Sequence, residues 1–155
     1  MILYYTYKQK TKVFAHSLGK VLEMPTYELK SDLNNKSSFG FIFNALKLTF
    51  TGKTAPVSNM PEVVPGEIYV CSPIWGGRVS APVKFFLENM NLKNTTVNLL
   101  LTASVPTEKY KLSALEYLQK LPCMQGEVYL FATSDKIMPE EEILIEQLRE
   151  ILEIE

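Results

Sequence analysis

The residues best suited to ligand chemistry form a short loop around the only tryptophan of the chain. The loop is Ser72-Pro73-Ile74-Trp75-Gly76-Gly77. Its two glycines permit positive φ angles and let another group approach the backbone closely. The indole offers a large aromatic surface beside them. We therefore expect an exposed loop, rigid at both ends, that suits a flat ligand.

Regular elements are expected on both sides of this loop. Ile68 to Cys71 is a short apolar run rich in β-formers, which predicts a strand covered on both faces. Pro73 is expected to end that strand because proline has no N–H for the ladder. Ser80 is a suitable N-cap, and Pro82 fits the first turn of a helix. The apolar face of that helix comprises Val83, Phe86, Leu87 and Met90.

Composition limits the class of protein. The chain has 155 residues, 46% of them hydrophobic, which predicts one globular domain over residues 1–155. A net charge of −1 gives no basic footprint for nucleic acid or an anionic membrane. Cys71 and Cys123 are expected to be reduced, as in a cytoplasmic protein. Because a strand is predicted directly after Met1, we expect no signal peptide, and no apolar run approaches the ~20 residues of a membrane span.

Five apolar strands are predicted to alternate with five helices, which indicates an α/β fold with a doubly wound parallel sheet and helices on both faces. The helices are expected from Thr11, over Phe39–Phe50, after Ser80, over Tyr110–Leu121 and from Pro139. Leu144, Leu148, Ile151 and Leu152 are expected to be the buried face of the last helix. The predicted strands are Met1–Thr6, Thr26–Leu29, Ile68–Cys71, Thr96–Ala103 and Val128–Thr133.

The first, third and fourth strands are the most hydrophobic and are expected to be central. Ligands of such sheets bind at the carboxyl ends of the strands, where the winding reverses. The loops Thr6–Thr11, Ser72–Ser80 and Thr102–Lys109 should therefore converge at one end of the sheet.

The sequence resembles the flavodoxin family. The resemblance rests on the first loop, Thr6 to Thr11, on the Ser-Pro-Ile-Trp loop, and on Pro82 to Glu88. It is closest to short flavodoxin-like proteins that carry such a tryptophan loop. It implies strand order 2-1-3-4-5, with FMN bound at the switch point.

The resemblance also implies which residues hold the cofactor. The first loop would wrap the FMN phosphate, with Thr6 and Thr11 at the outer hydroxyl positions. Trp75 would flank the isoalloxazine ring, and the loop after the fourth strand would supply a third contact. The implied cofactor-binding residues are Thr6, Tyr7, Lys8, Gln9, Lys10, Thr11, Pro73, Ile74, Trp75, Gly76, Gly77, Thr102, Ala103, Ser104 and Val105.

Two functions remain open at this point. One is electron transfer or small-molecule redox chemistry with FMN, with a redox partner protein or a small electron acceptor, and an FMN-dependent oxidoreductase falls within it. The other is a domain that has lost the cofactor and serves as a binding or regulatory module, because Lys8-Gln9 replaces the usual Ser/Thr-Gly pair. A homodimer is also open. A hydrolase using Ser72 or Ser104 with His16 is disfavoured, since no Gly-x-Ser-x-Gly elbow occurs.

Overall fold

The computed structural model describes residues 1–133 and 140–154. Six strands are present in these ranges: β1 (Ile2–Tyr4), β2 (Thr26–Glu28), β3 (Glu67–Trp75), β4 (Arg78–Val79), β5 (Thr96–Ala103) and β6 (Met124–Ala132). Five of them form a parallel sheet in the order β2-β1-β3-β5-β6, while β4 pairs antiparallel with β3. Without the two-residue β4, this order is the predicted 2-1-3-4-5.

Helices cover both faces of the sheet, as the alternation predicted. Phe14 and Leu18 of α1 share one buried cluster with Leu144 and Leu148 of α5. Residues of α3 and α4 belong to a second cluster that includes the other side of the central strands. The helices are α1 (Lys10–Val21), α2 (Ser38–Thr51), α3 (Ala81–Asn89), α4 (Glu108–Leu118) and α5 (Glu141–Ile151), with a short 3-10 helix at Asp32–Asn35.

The three most hydrophobic strands are the interior ones. Their side chains alternate between the two clusters: Val70 and Leu99 lie in one, Cys71 and Leu100 in the other. All four are fully buried. Full burial of a side chain of this size contributes roughly 1.5–3 kcal/mol. Cys71 and Cys123 are both free thiols.

Several predicted boundaries were wrong. Pro73 does not end the third strand, because β3 continues to Trp75. The register of β1 on β3 stops at Cys71. Beyond that point one side of β3 is an edge, where a missing N–H costs no ladder bond. The first helix was expected from Thr11, but α1 begins at Lys10, with Gln9 as its N-cap.

Other differences concern the later helices. The fifth parallel strand begins at Met124, and α4 covers 108–118 instead of the expected 110–121. The polar stretch 31–38 contains the 3-10 helix. Pro139 lies outside the described residues, but Leu144 and Leu148 are buried as expected, while Ile151 is exposed. Within the described ranges, no helix is both long and apolar enough to cross a membrane.

Tyr4 links β1 to two neighbouring elements on the α1 side of the sheet. Its hydroxyl donates to a Glu28 carboxylate oxygen at 3.2 Å and lies 3.3 Å from Nε2 of His16. Burial, followed by the Glu28 charge and hydrogen bond, raises the pKa of Tyr4 to about 12. The folded protein therefore retains a proton that the unfolded chain releases near pH ~10.

We expect the free energy of unfolding to fall as the pH rises from about 10 towards about 12, because the unfolded state then binds fewer protons than the folded state. Tyr4→Phe should make this fall less steep. Denaturant unfolding at a series of alkaline pH values measures both slopes. Tyr110→Phe, which alters a tyrosine of α4, is the matched control. Equal slopes for wild type and Tyr4→Phe would contradict this assignment.

Candidate functional site

The tryptophan loop is a tight β-hairpin. Trp75 of β3 pairs with Arg78 of β4, and Ile74 pairs with Val79. Gly76 and Gly77, between the strands, have φ angles of 54° and 80°. A two-residue hairpin turn with positive φ at both central positions favours glycine strongly. The loop that the sequence predicted is therefore present, and it is more regular than expected.

Contacts on both sides hold the hairpin in place. A Cβ on Gly76 would lie 2.7 Å from Cγ2 of Thr49 in α2, and one on Gly77 would lie 3.3 Å from Cε1 of Tyr110 in α4. The Arg78 guanidinium donates to the Thr49 carbonyl at 3.4 Å. The hairpin is thus wedged between two helices and has little freedom to move.

Serine hydroxyls close the base of the same hairpin. The Ser80 backbone N–H donates to Oγ of Ser72 at 3.0 Å, and the two hydroxyl oxygens are 2.9 Å apart. Both serines are fully buried. Ser72 therefore acts as a structural bridge, which leaves no role for it as a hydrolase nucleophile.

Trp75 is half-buried and packed edge-on against two aromatic rings. Its ring centroid lies 5.6 Å from that of Tyr5 and 5.4 Å from that of Phe41, with interplanar angles of 84° and 86°. Edge-to-face pairs of this kind are worth about 0.5–1.5 kcal/mol beyond burial. The core therefore fixes the indole, while part of its surface stays open to a neighbouring cleft.

The first loop joins β1 to α1 in an unusual conformation. Gln9 has a φ of 62°, in the left-handed region that favours glycine. Lys8 and Gln9 are exposed, whereas Thr6 and Thr11 are buried. This backbone conformation is the one that the Gly in the flavodoxin pattern would favour, and it is present here without that Gly.

Thr11, in the first turn of α1, contacts the carboxyl end of β5. Its Oγ1 lies 2.9 Å from Oγ1 of Thr102, and the contact is buried. Both residues lie at the carboxyl end of the sheet, on either side of β3. The convergence predicted at this end of the sheet therefore includes a direct contact between the start of α1 and the end of β5.

Asn34, in the 3-10 helix, supports the same region and was not anticipated from the sequence. Its side-chain oxygen accepts the Tyr5 hydroxyl at 2.6 Å, and its side-chain nitrogen donates to the Thr6 carbonyl at 3.0 Å. Burial raises the pKa of the Tyr5 hydroxyl, so Tyr5 remains a donor over the physiological range. No local pattern identifies Asn34, because its partners are nearly 30 residues away.

Most predicted site residues line one cleft of about 250 Å³ at the carboxyl end of the sheet. Two lining residues, Phe41 and Thr133, were missed. Phe41 stacks on Tyr7 with ring centroids 3.4 Å apart. The predicted residues in this cleft are Thr6, Tyr7, Lys8, Lys10, Thr11, Pro73, Ile74, Trp75, Thr102, Ala103 and Ser104.

A second, larger cleft of about 1020 Å³ adjoins the first. The two share Ile74, Ala103 and Ser104. Gly76, Gly77 and Val105, also predicted, line this second cleft, whereas Gln9 lines neither. Its other lining residues, none of them among the implied cofactor-binding residues, lie on β4, in the loop after β5 and on α4: Arg78, Thr107, Lys109, Tyr110, Leu112, Ser113 and Glu116.

The arrangement favours binding over side-chain catalysis. The backbone N–H groups at the start of α1 and the nearby lysines suit an anion, and the half-buried indole suits a planar ring. His16 contacts Tyr4 and lines neither cleft. Among residues 1–133 and 140–154, no group of three His, Cys, Asp or Glu side chains could hold a metal ion.

Known proteins share this architecture but show little sequence similarity. No family model and no curated protein matches the sequence. A candidate flavoprotein from Bacteroides uniformis ATCC 8492 matches with a TM-score of 0.76 and 14% identity over 96% of each chain. One from Bacteroides eggerthii DSM 20697 gives 0.70 and 18%, covering 99% of this chain and 97% of that one.

A flavoprotein in complex with FMN from Lactobacillus acidophilus NCFM also matches, with a TM-score of 0.66 and 21% identity over 83% of this chain and 90% of its own. Similarity at this level shows the fold alone. Together with the strand order, it places the chain in the flavodoxin-like class of α/β folds that flavoproteins use.

Gly76→Ala should destabilise the protein by about 1–3 kcal/mol, because it combines strain at positive φ with the 2.7 Å contact on Thr49. Gly52→Ala is the matched control, since Gly52 has a φ of 67° with nothing within 4 Å of its added Cβ. The control should lose only about 1 kcal/mol. Thr49→Ser should partly rescue Gly76→Ala. Denaturant unfolding of the four proteins measures the free energy of unfolding. Equal losses for the two glycine variants would contradict the close packing of the hairpin turn against Thr49.

Gln9→Val should destabilise the fold by more than about 1 kcal/mol, because a β-branched side chain disfavours positive φ. Gln9→Gly should change stability little, since the relief of strain is offset by a more flexible unfolded chain. Lys8→Val, at the exposed neighbouring position, should lie within about 0.5 kcal/mol of wild type. Thermal melting ranks the three variants. A tolerated Gln9→Val would rule out the left-handed conformation.

Proposed function

We propose that this protein binds FMN at the carboxyl end of its sheet and carries out electron transfer or small-molecule redox chemistry. The observation that carries the proposal is the meeting of the first loop, the tryptophan hairpin and the loop after β5 around one cleft. The solved flavoprotein with FMN shares the fold and supports the same assignment.

The phosphate would bind at the first loop. Its donors would be backbone N–H groups in the first turn of α1, which point out of the helix at the positive end of its dipole. The N-cap Gln9 makes no side-chain cap bond, so it does not occupy those donors. Lys8 and Lys10 add positive charge beside them, and Thr6 and Thr11 flank the loop. These residues fit an anionic group.

The flavin ring would lie against the hairpin. Trp75 offers an indole that Tyr5 and Phe41 already hold in place, so little side-chain freedom would be lost on binding. Gly76 and Gly77 expose backbone beside it. The larger adjoining cleft, with Tyr110 on its α4 wall, provides room for a ring system that exceeds the smaller cleft.

When bound, FMN supplies the redox chemistry, and the protein supplies binding, orientation and tuning of the potential. No side-chain acid, base or nucleophile is then required. The reaction partner would be a redox protein or a small electron acceptor. Arg78 and Lys109 line the larger cleft beside Glu116, so this edge is not the uniformly acidic surface expected of a one-electron shuttle. An FMN-dependent oxidoreductase with a small acceptor is therefore the version that the charges favour.

One observation favours the alternative, a domain without cofactor that serves as a binding or regulatory module. The Thr11 hydroxyl, which the resemblance assigns to the phosphate, already bonds to Thr102. A hydroxyl can donate one hydrogen bond while it accepts another, so the contact leaves capacity for a ligand. The choice between the two functions thus depends on measured affinity.

FMN and riboflavin differ only in the phosphate, so comparing them separates the two halves of the site. We expect FMN to remain bound through desalting, to quench the emission of Trp75, the sole tryptophan, and to bind more tightly than riboflavin. At a hundredfold excess over Kd, a ligand stabilises the fold by about 2.7 kcal/mol. A colourless protein whose melting does not shift in excess FMN would exclude this function and favour the module.

Variants should separate the ring from the phosphate. Trp75→Ala should weaken FMN and riboflavin alike, by about tenfold, since stacking and burial of the ring are lost. Lys8→Gln should weaken FMN by up to about fivefold and leave riboflavin unchanged. Val63→Ala, in a cleft near the amino ends of β3 and β5, is the control and should alter neither. If Lys8→Gln weakened the binding of FMN and riboflavin equally, the phosphate would not bind at the first loop.

A further inference from the structure

The outward face of α2 is almost entirely apolar. Of the six exposed positions between residues 39 and 50, five are large hydrophobic side chains and the sixth is Lys47. Ile42, Leu46 and Phe50, which follow one another at four-residue steps, all belong to this face. The inward side of α2 is anchored by Phe41 and Ala45. The five exposed fractions are 83% for Phe39, 54% for Ile42, 62% for Phe43, 49% for Leu46 and 84% for Phe50.

This face, which we call the α2 stripe (Phe39, Ile42, Phe43, Leu46 and Phe50), is large for an uncovered surface. At roughly 200 Å² for each aromatic side chain, the three phenylalanines alone expose roughly 450 Å². The largest apolar patch on a typical monomer is about 300–600 Å² in total. A stable interface needs about 800 Å² from each partner. The stripe therefore supplies more than half of the area that one partner contributes to a stable interface, before any neighbouring residue is counted.

The order of residues in the stripe is symmetric about its midpoint. Phe39, Phe43, Leu46 and Phe50 are spaced by four, three and four residues, the spacing of an apolar seam between paired helices. Reversing the direction of the helix leaves this spacing unchanged. In an antiparallel pair, Phe39 would face Phe50 of the second copy, and Phe43 would face Leu46 of the second copy. A twofold interface requires a surface that matches itself in this way.

The charges agree with self-association. Lys47 is the only charged residue of α2, so the centre of the stripe meets its own copy without like-charge repulsion. The same reversal places Lys47 opposite Ile42 of the second copy. There its methylene stem can cover the apolar side chain while the ammonium group reaches water. Antiparallel helices also align their dipoles favourably. We propose that two copies of this protein associate through the α2 stripe as an antiparallel helix pair.

The first test measures mass in solution. Wild type should behave as a species of twice the 17.6 kDa chain mass in sedimentation or light scattering. Phe43→Glu should shift it to the single-chain mass, with the dissociation constant raised by at least about a hundredfold, because two unpaired carboxylates would be buried at the centre. Ile143→Glu, on an exposed position of α5, is the control and should remain dimeric. Melting curves verify that both variants are folded.

The second test determines the direction of the helices. In a Cys123→Ser background, Phe39→Cys combined with Phe50→Cys should give a covalent dimer on mild oxidation. Eleven residues of helix separate the two positions by about 16 Å, too far for a bond within one chain. Each single variant should remain uncrosslinked, whereas a parallel pair would crosslink Phe39→Cys to itself.

Three outcomes would overturn the proposal. The first is a wild type that stays at the single-chain mass at about 100 µM, a concentration at which association with a micromolar dissociation constant is nearly complete. The second is a Phe43→Glu variant that remains dimeric. The third is crosslinking by either single cysteine variant. A single-chain mass would mean that the stripe serves a different partner. These measurements are made without FMN, so a failure of the dimer proposal can be told apart from a failure of the proposed redox function.

Discussion

The buried contact between Thr11 and Thr102 connects parts of the chain that are 91 residues apart. It joins the first turn of α1 to the carboxyl end of β5, across the intervening β3. A parallel sheet brings these ends to one edge, but only a specific contact sets the distance between the loops that follow them. The 2.9 Å separation of the two hydroxyl oxygens fixes the floor of the cleft, and the remaining site residues are arranged around it.

The hairpin forms the wall above that floor. Its turn needs two residues with positive φ, Thr49 of α2 leaves no room for a Cβ at Gly76, and Tyr110 of α4 lies 3.3 Å from a Cβ at Gly77. The same two glycines therefore satisfy a backbone requirement and a packing requirement. The position of Trp75 depends on this rigidity. The indole can be held between Tyr5 and Phe41 only if the strand that carries it is fixed. The site thus depends on local backbone geometry more than on charged side chains.

The sequence predicted the fold because β1, β3 and β5 are almost uniformly apolar, as strands covered on both faces must be. It also identified most of the cleft, since the loops after those strands must meet. It failed where the outcome depends on distant neighbours. Pro73 stays in β3 because β1 ends beside it, and Asn34 reaches Tyr5 and Thr6 from a separate turn. The period of α2 predicted a helix but not its orientation, because both of its faces carry large apolar residues.

Helix α2 has two faces with different surroundings. Phe41 stacks on Tyr7 at the cleft, and Thr49 presses on the hairpin. The opposite face is open to solvent. If a contact on the outer face also narrowed the fluctuations of the inner one, equilibrium linkage would make the effect reciprocal. Ligand binding in the cleft and association through α2 would then share one coupling free energy. Both the fraction of associated protein and the affinity for the ligand would then change with protein concentration.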